Sequence, residues 1–329
     1  MKPELLDVLV CPSCAGALRC ETASAAGAEI DEGTLHCAGC GATFPIRGGV
    51  PRMVPASLTS PERATARAFA GEWKMLAELS DVFRAEFRSY LEPLSPADLR
   101  GLAVLDAGCG MGKFSYAAAE AGAGIVVAVD LSEAIDVAHQ HLRTLPNAHA
   151  VQASIYQLPF RPGTFDFVFS IGVLHHLPDP QRGFARIVPL ARPAARVLVW
   201  LYALEGNEFF VRWLDPFRTH VFSRLPAWMS RLAATLLAIP LWLLIQAVYV
   251  PLERRRRAQR LPYSAYFLYF SRLGFRTFWG TIYDKLVPPI SFYLTRDAIR
   301  RWLSDANLRE IVLRHRNGNS WTCLAQRNA

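Results

Sequence analysis

Apolar positions along this chain change their period from one segment to the next, and the changes outline the elements. Between residues 61 and 91, Phe69, Trp73, Leu76, Phe83, Phe87 and Tyr90 fall near one face of a helix, which Ser95-Pro96 ends. From 103 onward, short apolar runs at 103–105, 125–129, 150–154, 164–170 and 196–202 read as strands. Between them, the alanine-rich run 113–121 and a segment opened by Ser132 as N-cap with Glu133 in its first turn read as helices. Near the end, Thr295 caps a helix carrying Ile299, Trp302, Leu303 and Ala306 on one face. Residues 310–315 and 320–325 then flank Asn317-Gly318-Asn319, a hairpin signal. Alternation of strand and helix predicts an α/β fold around a parallel sheet.

One stretch breaks the pattern. Residues 232–252 carry no charge; Pro240 and Gln246 interrupt them, Arg254, Arg255, Arg256 and Arg257 follow at once, and Arg224 and Arg231 lie upstream. That length reaches across a bilayer core of ~30 Å. A spanning helix, however, would separate the late helix and hairpin from the sheet they complete. The stretch is therefore expected to be either an interfacial or re-entrant helical pair kinked at Pro240, or a buried lid. Tyr263, Tyr266, Phe267, Tyr269, Phe270, Phe275, Phe278 and Trp279 follow it, and are expected to line an apolar pocket or to form lid core.

Composition narrows the classes. At 52% hydrophobic and 19% charged residues, the 329-residue chain is neither disordered nor low-complexity. The net charge is +8, but residues 1–53 hold four basic and six acidic side chains, whereas residues 205–329 hold 19 basic against 8 acidic, a balance of +11. An anionic partner is thus expected for the C-terminal part, and the acidic N-terminal part makes a poor phosphate binder. Residues 1–7 contain acids and no apolar core of signal-peptide length, so a cytoplasmic protein without a secretion signal is expected, peripheral to the inner membrane face if the apolar stretch touches lipid.

Two motifs carry chemistry. Cys11-Pro-Ser-Cys14 and Cys37-Ala-Gly-Cys40 are paired knuckles, each placing two sulfurs on one ion; four thiolates close a tetrahedral zinc sphere, so the site is structural rather than catalytic. This ribbon is expected to have a small core of its own. The second motif is 104–112, Val-Leu-Asp-Ala-Gly-Cys-Gly-Met-Gly, a strand that ends in an acid and turns through glycines into a helix. A dinucleotide-binding loop would need glycine at 113, where Lys113 stands. The following strand ends in Asp130, a carboxylate suited to ribose hydroxyls.

The run 104–112 together with Val127-Ala-Val-Asp130 resembles the class I methyltransferases that use S-adenosylmethionine, of the type 11-like kind. Residues 164–179, ending Ile171-Gly-Val-Leu-His-His-Leu-Pro-Asp179, resemble that family's fourth motif, and residues 9–54 resemble the small zinc-ribbon proteins that partner methyltransferases. The resemblance implies a Rossmann-like seven-stranded sheet, with a zinc ribbon at 1–56, a linker helix at 57–100 closing over the cofactor or packing on the sheet edge, a cofactor-binding core at 101–204, a mostly helical insertion at 205–290, and a closing helix and hairpin at 291–329. It implies cofactor contacts from Asp106, Gly108, Gly110, Gly112, Asp130, Leu131, Ser154, Ile155 and Ile171. The family commonly has an acid where Ser154 stands, close to the adenine amino group, and this chain departs from that pattern.

Methyl transfer needs alignment and exclusion of water, and an oxygen or carbon acceptor often needs a base. His175, His176, Tyr283 and Asp284 are the candidates; buried structural histidines are the other reading of the first two. The acceptor expected from the aromatic insertion is a small apolar or lipid-linked molecule. An RNA methyltransferase of the rRNA type, some of which carry an N-terminal zinc site, is the alternative, and a cofactor-binding regulator without turnover is the third.

Overall fold

The computed structural model describes residues 1–27, 29–55, 57–75, 79 and 82–328. Strands β1 (Leu18–Ala26), β2 (Glu29–Cys37), β3 (Thr43–Arg47) and β4 (Val50–Pro51) form an antiparallel ribbon in sequence order. Helices α1 (Ser60–Met75) and α2 (Val82–Leu91) follow. The single helix expected over 61–91 is thus two, and Leu76, assigned to its apolar face, lies outside the described residues.

The core alternates as its pattern predicted: β5 (Ala103–Ala107), α3 (Lys113–Glu120), β6 (Ile125–Asp130), α4 (Ala134–Leu142), β7 (Ala148–Gln152), β8 (Phe165–Ile171), α5 (Pro180–Ile187) and β9 (Ala191–Tyr202). An insertion follows: α6 (Asp215–His220), α7 (Ala227–Leu244), α8 (Val250–Arg254), α9 (Ser264–Leu273) and α10 (Phe275–Leu286). The chain then returns to the core through α11 (Arg296–Asp305), β10 (Leu308–Arg316) and β11 (Ser320–Arg327). Seven strands form one sheet in the order β10-β11-β9-β8-β5-β6-β7; β10 pairs antiparallel with β11 and β11 antiparallel with β9, while the rest are parallel. Central strands covered on both faces must be apolar throughout, which is why β6 reads Val126-Val-Ala-Val129, all four residues buried.

Two glycines fix the turn after β5. Gly108 has φ 91°, and a side chain there would collide with Val173. Gly112 has φ 80°, and a Cβ there would lie 2.9 Å from the Ala138 Cβ. Glycine alone meets both demands. Ser132, expected as the N-cap of α4, stands one residue before that position: its Oγ accepts from Ala134 N–H at 3.2 Å, while its backbone N–H and hydroxyl donate to the Asp130 carboxylate at 2.8 and 2.7 Å.

The ribbon does not have a core to itself. Leu5, Leu35, Ile46 and Met53 belong to the same buried cluster as Val127, Val129 and Val151 of the sheet. Its last residues run beside β7, the edge strand: Met53 N–H donates to the Gln152 carbonyl (2.8 Å), and Arg52 reaches Gln152 Oε1 (3.2 Å) and Asp136 (2.5 Å). Val10 N–H donates to the Pro159 carbonyl at 2.9 Å. An open sheet edge is thereby covered.

The apolar stretch is neither a kinked pair nor buried. Residues 227–254 form one continuous helix, passing through a wide turn at Ile245–Tyr249. Pro240 sits on an exposed face and does not split it. The helix packs on α10 through Ser230, Ala234 and Ala238, small residues that allow close approach, while Leu232, Leu236 and Leu243 face outward.

Candidate functional site

At the C-terminal ends of β5 and β6, the loop is tied to its neighbour: Gly108 N–H and Cys109 N–H both donate to the Val129 carbonyl, at 2.8 and 2.9 Å. Gly110 N–H donates to Asp130 Oδ2 at 2.9 Å while Ser132 holds Oδ1. Asp130 is therefore fixed in orientation beside the loop. Burial raises its pKa from the ordinary carboxylate value, and the hydrogen bonds from Ser132 and Gly110 counter this in part.

These residues form one end of a cavity of about 400 Å³. Gly108, Gly110, Asp130, Leu131, Ser154, Ile155 and Ile171 all line it. Asp106 and Gly112 do not: Asp106 lies buried behind the loop, its Oδ2 accepting from Ser115 Oγ at 2.6 Å, and Gly112 packs on Ala138. Burial pushes the Asp106 carboxyl up to about 7.

Sequence reasoning missed Glu62. It is the third residue after Thr59, and the two form a capping box at the start of α1, with Thr59 N–H and Oγ donating to Glu62 Oε2 at 2.9 and 2.7 Å. The other oxygen, Oε1, accepts from Ser154 Oγ at 3.2 Å, and both residues line the cavity. Helix α1 thus brings an acid beside position 154. The T-x-x-E spacing was the readable signal for the cap, though not for its second partner. Helix α1 also sets Phe69 against His176, ring centroids 5.1 Å apart, so it lies over the cavity rather than on a sheet edge.

The opposite end is built by β9 and the insertion. Trp200, Tyr202, Tyr266, Tyr269, Asp284 and Lys285 line it. Tyr202 donates to Asp284 Oδ2 at 3.1 Å, and the Lys285 ammonium stands 4.5 Å above the Tyr202 ring, its pKa pulled down to about 8 by burial. Four buried polar atoms on cavity-lining residues have no partner among the described residues: Thr65 Oγ1, His176 Nε2, Trp200 Nε1 and Tyr266 Oη. Orphaned polar atoms gathered at one cavity ask for a ligand with polar groups.

His176 is held for this role. Its Nδ1 lies 2.8 Å from the Ile290 carbonyl, which can only accept, so Nδ1 carries the hydrogen and Nε2 the lone pair. Burial lowers its pKa below the usual histidine value and keeps it neutral. His175 is fully buried, with its ring 3.9 Å from that of Tyr202, and does not line the cavity. Tyr283 also does not; it stacks on Trp279 at 5.4 Å. Of the four candidate bases, the structure brings His176 and Asp284 to the cavity and leaves His175 and Tyr283 outside it.

Away from the cavity, the sulfurs of Cys11, Cys14, Cys37 and Cys40 lie within 4.8 Å of one another, with Cys11–Cys40 at 3.7 Å and Cys14–Cys37 at 3.4 Å. A tetrahedron with ~2.3 Å metal–sulfur bonds places its sulfurs about 3.8 Å apart, so the set fits one zinc ion.

The strand order, with its antiparallel β11 between β9 and β10 and its glycine loop beside an acid-ended β6, is the Rossmann-like methyltransferase sheet. Residues 105–199 match the model of a methyltransferase domain and residues 2–49 that of Trm112p-like proteins, so the chain joins a methyltransferase domain to a Trm112p-like ribbon. A ubiquinone biosynthesis O-methyltransferase from Thiobacillus denitrificans is 35% identical over 152 residues, 42% of this chain and 64% of that protein. One from Coxiella burnetii is 34% identical over 137 residues, 38% and 58%. An uncharacterized Synechococcus protein is 34% identical over 109 residues, 32% and 26%. The chain thus spans less than two thirds of the length of each of these relatives. Among solved structures, a complex of the Haloferax volcanii Trm112 methyltransferase activator with a methyltransferase superposes with a TM-score of 0.48 at 12% identity, covering 82% of this chain and 98% of that one.

Proposed function

We propose that the chain is an S-adenosylmethionine-dependent methyltransferase acting on a hydroxyl of an apolar, lipid-linked aromatic acceptor, with a structural zinc ion on Cys11, Cys14, Cys37 and Cys40. The observation that carries this is the two-ended cavity: a glycine loop with Asp130 and Glu62 at one end, and aromatic rings with unpartnered polar atoms at the other. The names of the O-methyltransferase relatives agree with an oxygen acceptor.

The cofactor supplies an activated methyl group on a sulfonium. Gly108 and Gly110 offer a surface without side chains against which it can lie, Asp130 accepts from ribose hydroxyls, and Glu62, oriented by Ser154, accepts from the adenine amino group. His176 takes the proton of the acceptor hydroxyl at Nε2, the only ring nitrogen with a free lone pair. A neutral imidazole with a lowered pKa suits that task at neutral pH. Trp200 Nε1–H and Tyr266 Oη orient the acceptor, and Phe69 with α1 excludes water. An RNA acceptor is disfavoured by the aromatic lining and by the acidic ribbon.

Calorimetry with S-adenosylmethionine is the first test. Asp130→Ala is expected to cost about 2 kcal/mol of affinity, because it removes charge-assisted hydrogen bonds. Unchanged affinity, or a preference for NAD in the parent, overturns the cofactor assignment. Methyl-labelled cofactor incubated with lipid and RNA extracts tests the acceptor: label in the lipid fraction that is lost in His176→Ala supports the reading, and label in RNA overturns it.

A further inference from the structure

The insertion has two faces with opposite roles. Its inner side, through Tyr266, Tyr269, Asp284 and Lys285, lines the cavity. Its outer side reverses the arrangement of a water-soluble helix, in which large apolar side chains are packed inward and polar ones face out. On α7 the fully buried residues are Ser230, Ala234 and Ala238, at 2% exposure or less, with Leu241 and Trp242 partly buried beside them, whereas Trp228, Leu232, Leu236, Ile239 and Leu243 are 64%, 52%, 65%, 46% and 61% exposed. This strip runs about 22 Å along the helix at 1.5 Å per residue. Trp213 and Phe217, at 57% and 65%, are likewise exposed in the segment that precedes α7 in the chain. Arginines stand along this part of the chain, all exposed: Arg212, Arg231, and the run Arg254 to Arg257 at the far end of the helix.

We propose that this outer face docks into the headgroup layer of an anionic membrane, with the helix lying in the interface plane. Apolar depth, flanking arginines and interfacial tryptophans together match an interfacial helix. A second copy of this chain is the less suitable cover. A two-fold contact through the strip would bring both sets of arginines to one interface, with like charges facing each other. A single span is excluded by connectivity: the chain enters the insertion from β9 and re-enters the same sheet through β10 and β11. Docking stands on the surface alone. Its further consequence, that the acceptor passes from lipid into the cavity beneath the same helices, rests on the methyltransferase reading.

Flotation of the full, zinc-loaded chain tests the proposal, using phosphatidylcholine vesicles with and without about one third phosphatidylglycerol. The expected result is flotation with the anionic vesicles at low salt, release as salt rises, and none with phosphatidylcholine alone. Replacing Arg254, Arg255, Arg256 and Arg257 together by Gln is expected to weaken binding at least about tenfold after screening. The pair Leu236→Asp and Leu243→Asp is expected to abolish flotation while calorimetric affinity for S-adenosylmethionine stays at the parent value. A parent that remains with the unbound protein overturns docking, as does a stable dimer in sedimentation that Leu236→Asp dissolves. Cofactor binding without flotation defeats this proposal alone; flotation without cofactor binding defeats the methyltransferase reading alone.

Discussion

Helices α3 and α7 both set alanines against a neighbour, yet they end in opposite states. In α3, Ala117, Ala118 and Ala119 are buried with Phe114 beneath the rest of the core, and its exposed end is Glu120. In α7, Ala234, Ala238 and the Trp242 ring meet α10, while Leu232, Leu236 and Leu243 are left outside. The core of the sheet is thus satisfied from within, and the insertion is satisfied on one side only. Apolar content measures how much surface must leave water; it does not say what will cover it.

A charge separates the two cases most sharply. Ala118→Asp places a carboxylate where no water reaches, and is expected to cost more than about 4 kcal/mol and to prevent folding. A soluble variant with the parent's circular dichroism melt would mean that α3 is not packed as described. Removing the zinc ion comes next. Because the ribbon shares the cluster of β6 and β7, a chelator is expected to lower the melting temperature of the core by roughly 5 °C or more. Hydrogen exchange of α7 and α10, whose own clusters contain neither ribbon nor sheet residues, should stay unchanged. Equal losses in both regions would dissolve the distinction.

Acid is a milder probe. Burial lowers the pKa of His139, His175 and His176, and takes that of His149 to about 4. Below about 6.5 the unfolded chain binds protons that the folded one refuses, so stability falls with pH in that range. Asp106, held near 7, and Asp130, also raised by burial, act in the opposite sense below pH 7, but two carboxyls stand against four imidazoles. The net expectation is a lower melting temperature at pH 5 than at pH 7, with the loss read in core amides and not in 227–286, which contains no histidine. A melt independent of pH would contradict it. Smallest of all is Leu236→Asp, expected to change thermal stability by no more than about 0.5 kcal/mol, since its site already faces water. A large loss there would place α7 against something inside the molecule.

The sheet, its order of elements and the glycine loop were legible because each rests on local demands. A strand covered on both faces must be apolar, and a turn at φ 91° needs glycine. Asp130 was legible for the same reason, ending a strand at a fixed distance from that turn. What escaped depends on long-range placement. Glu62 meets Ser154 across 92 residues, and the Ile290 carbonyl that fixes the His176 tautomer is 114 residues away. The outward orientation of Leu236 was hidden because a stripe of small residues and a stripe of large ones both read as apolar. The ribbon's lack of a private core was hidden because Leu35 and Ile46 look the same whether they pack on each other or on Val151.

Met53 pairs with Gln152, and Glu62 follows nine residues later on the same chain, so the covered edge of β7 and the roof of the cavity share a covalent tether. A separate edge-covering subunit dissociates on dilution, and several clients would compete for it. Here the effective concentration of ribbon at its edge is on the order of millimolar whatever the copy number of the protein. Each molecule therefore leaves synthesis with its own cover in a fixed one-to-one ratio, and its occupancy does not depend on the abundance of any other chain.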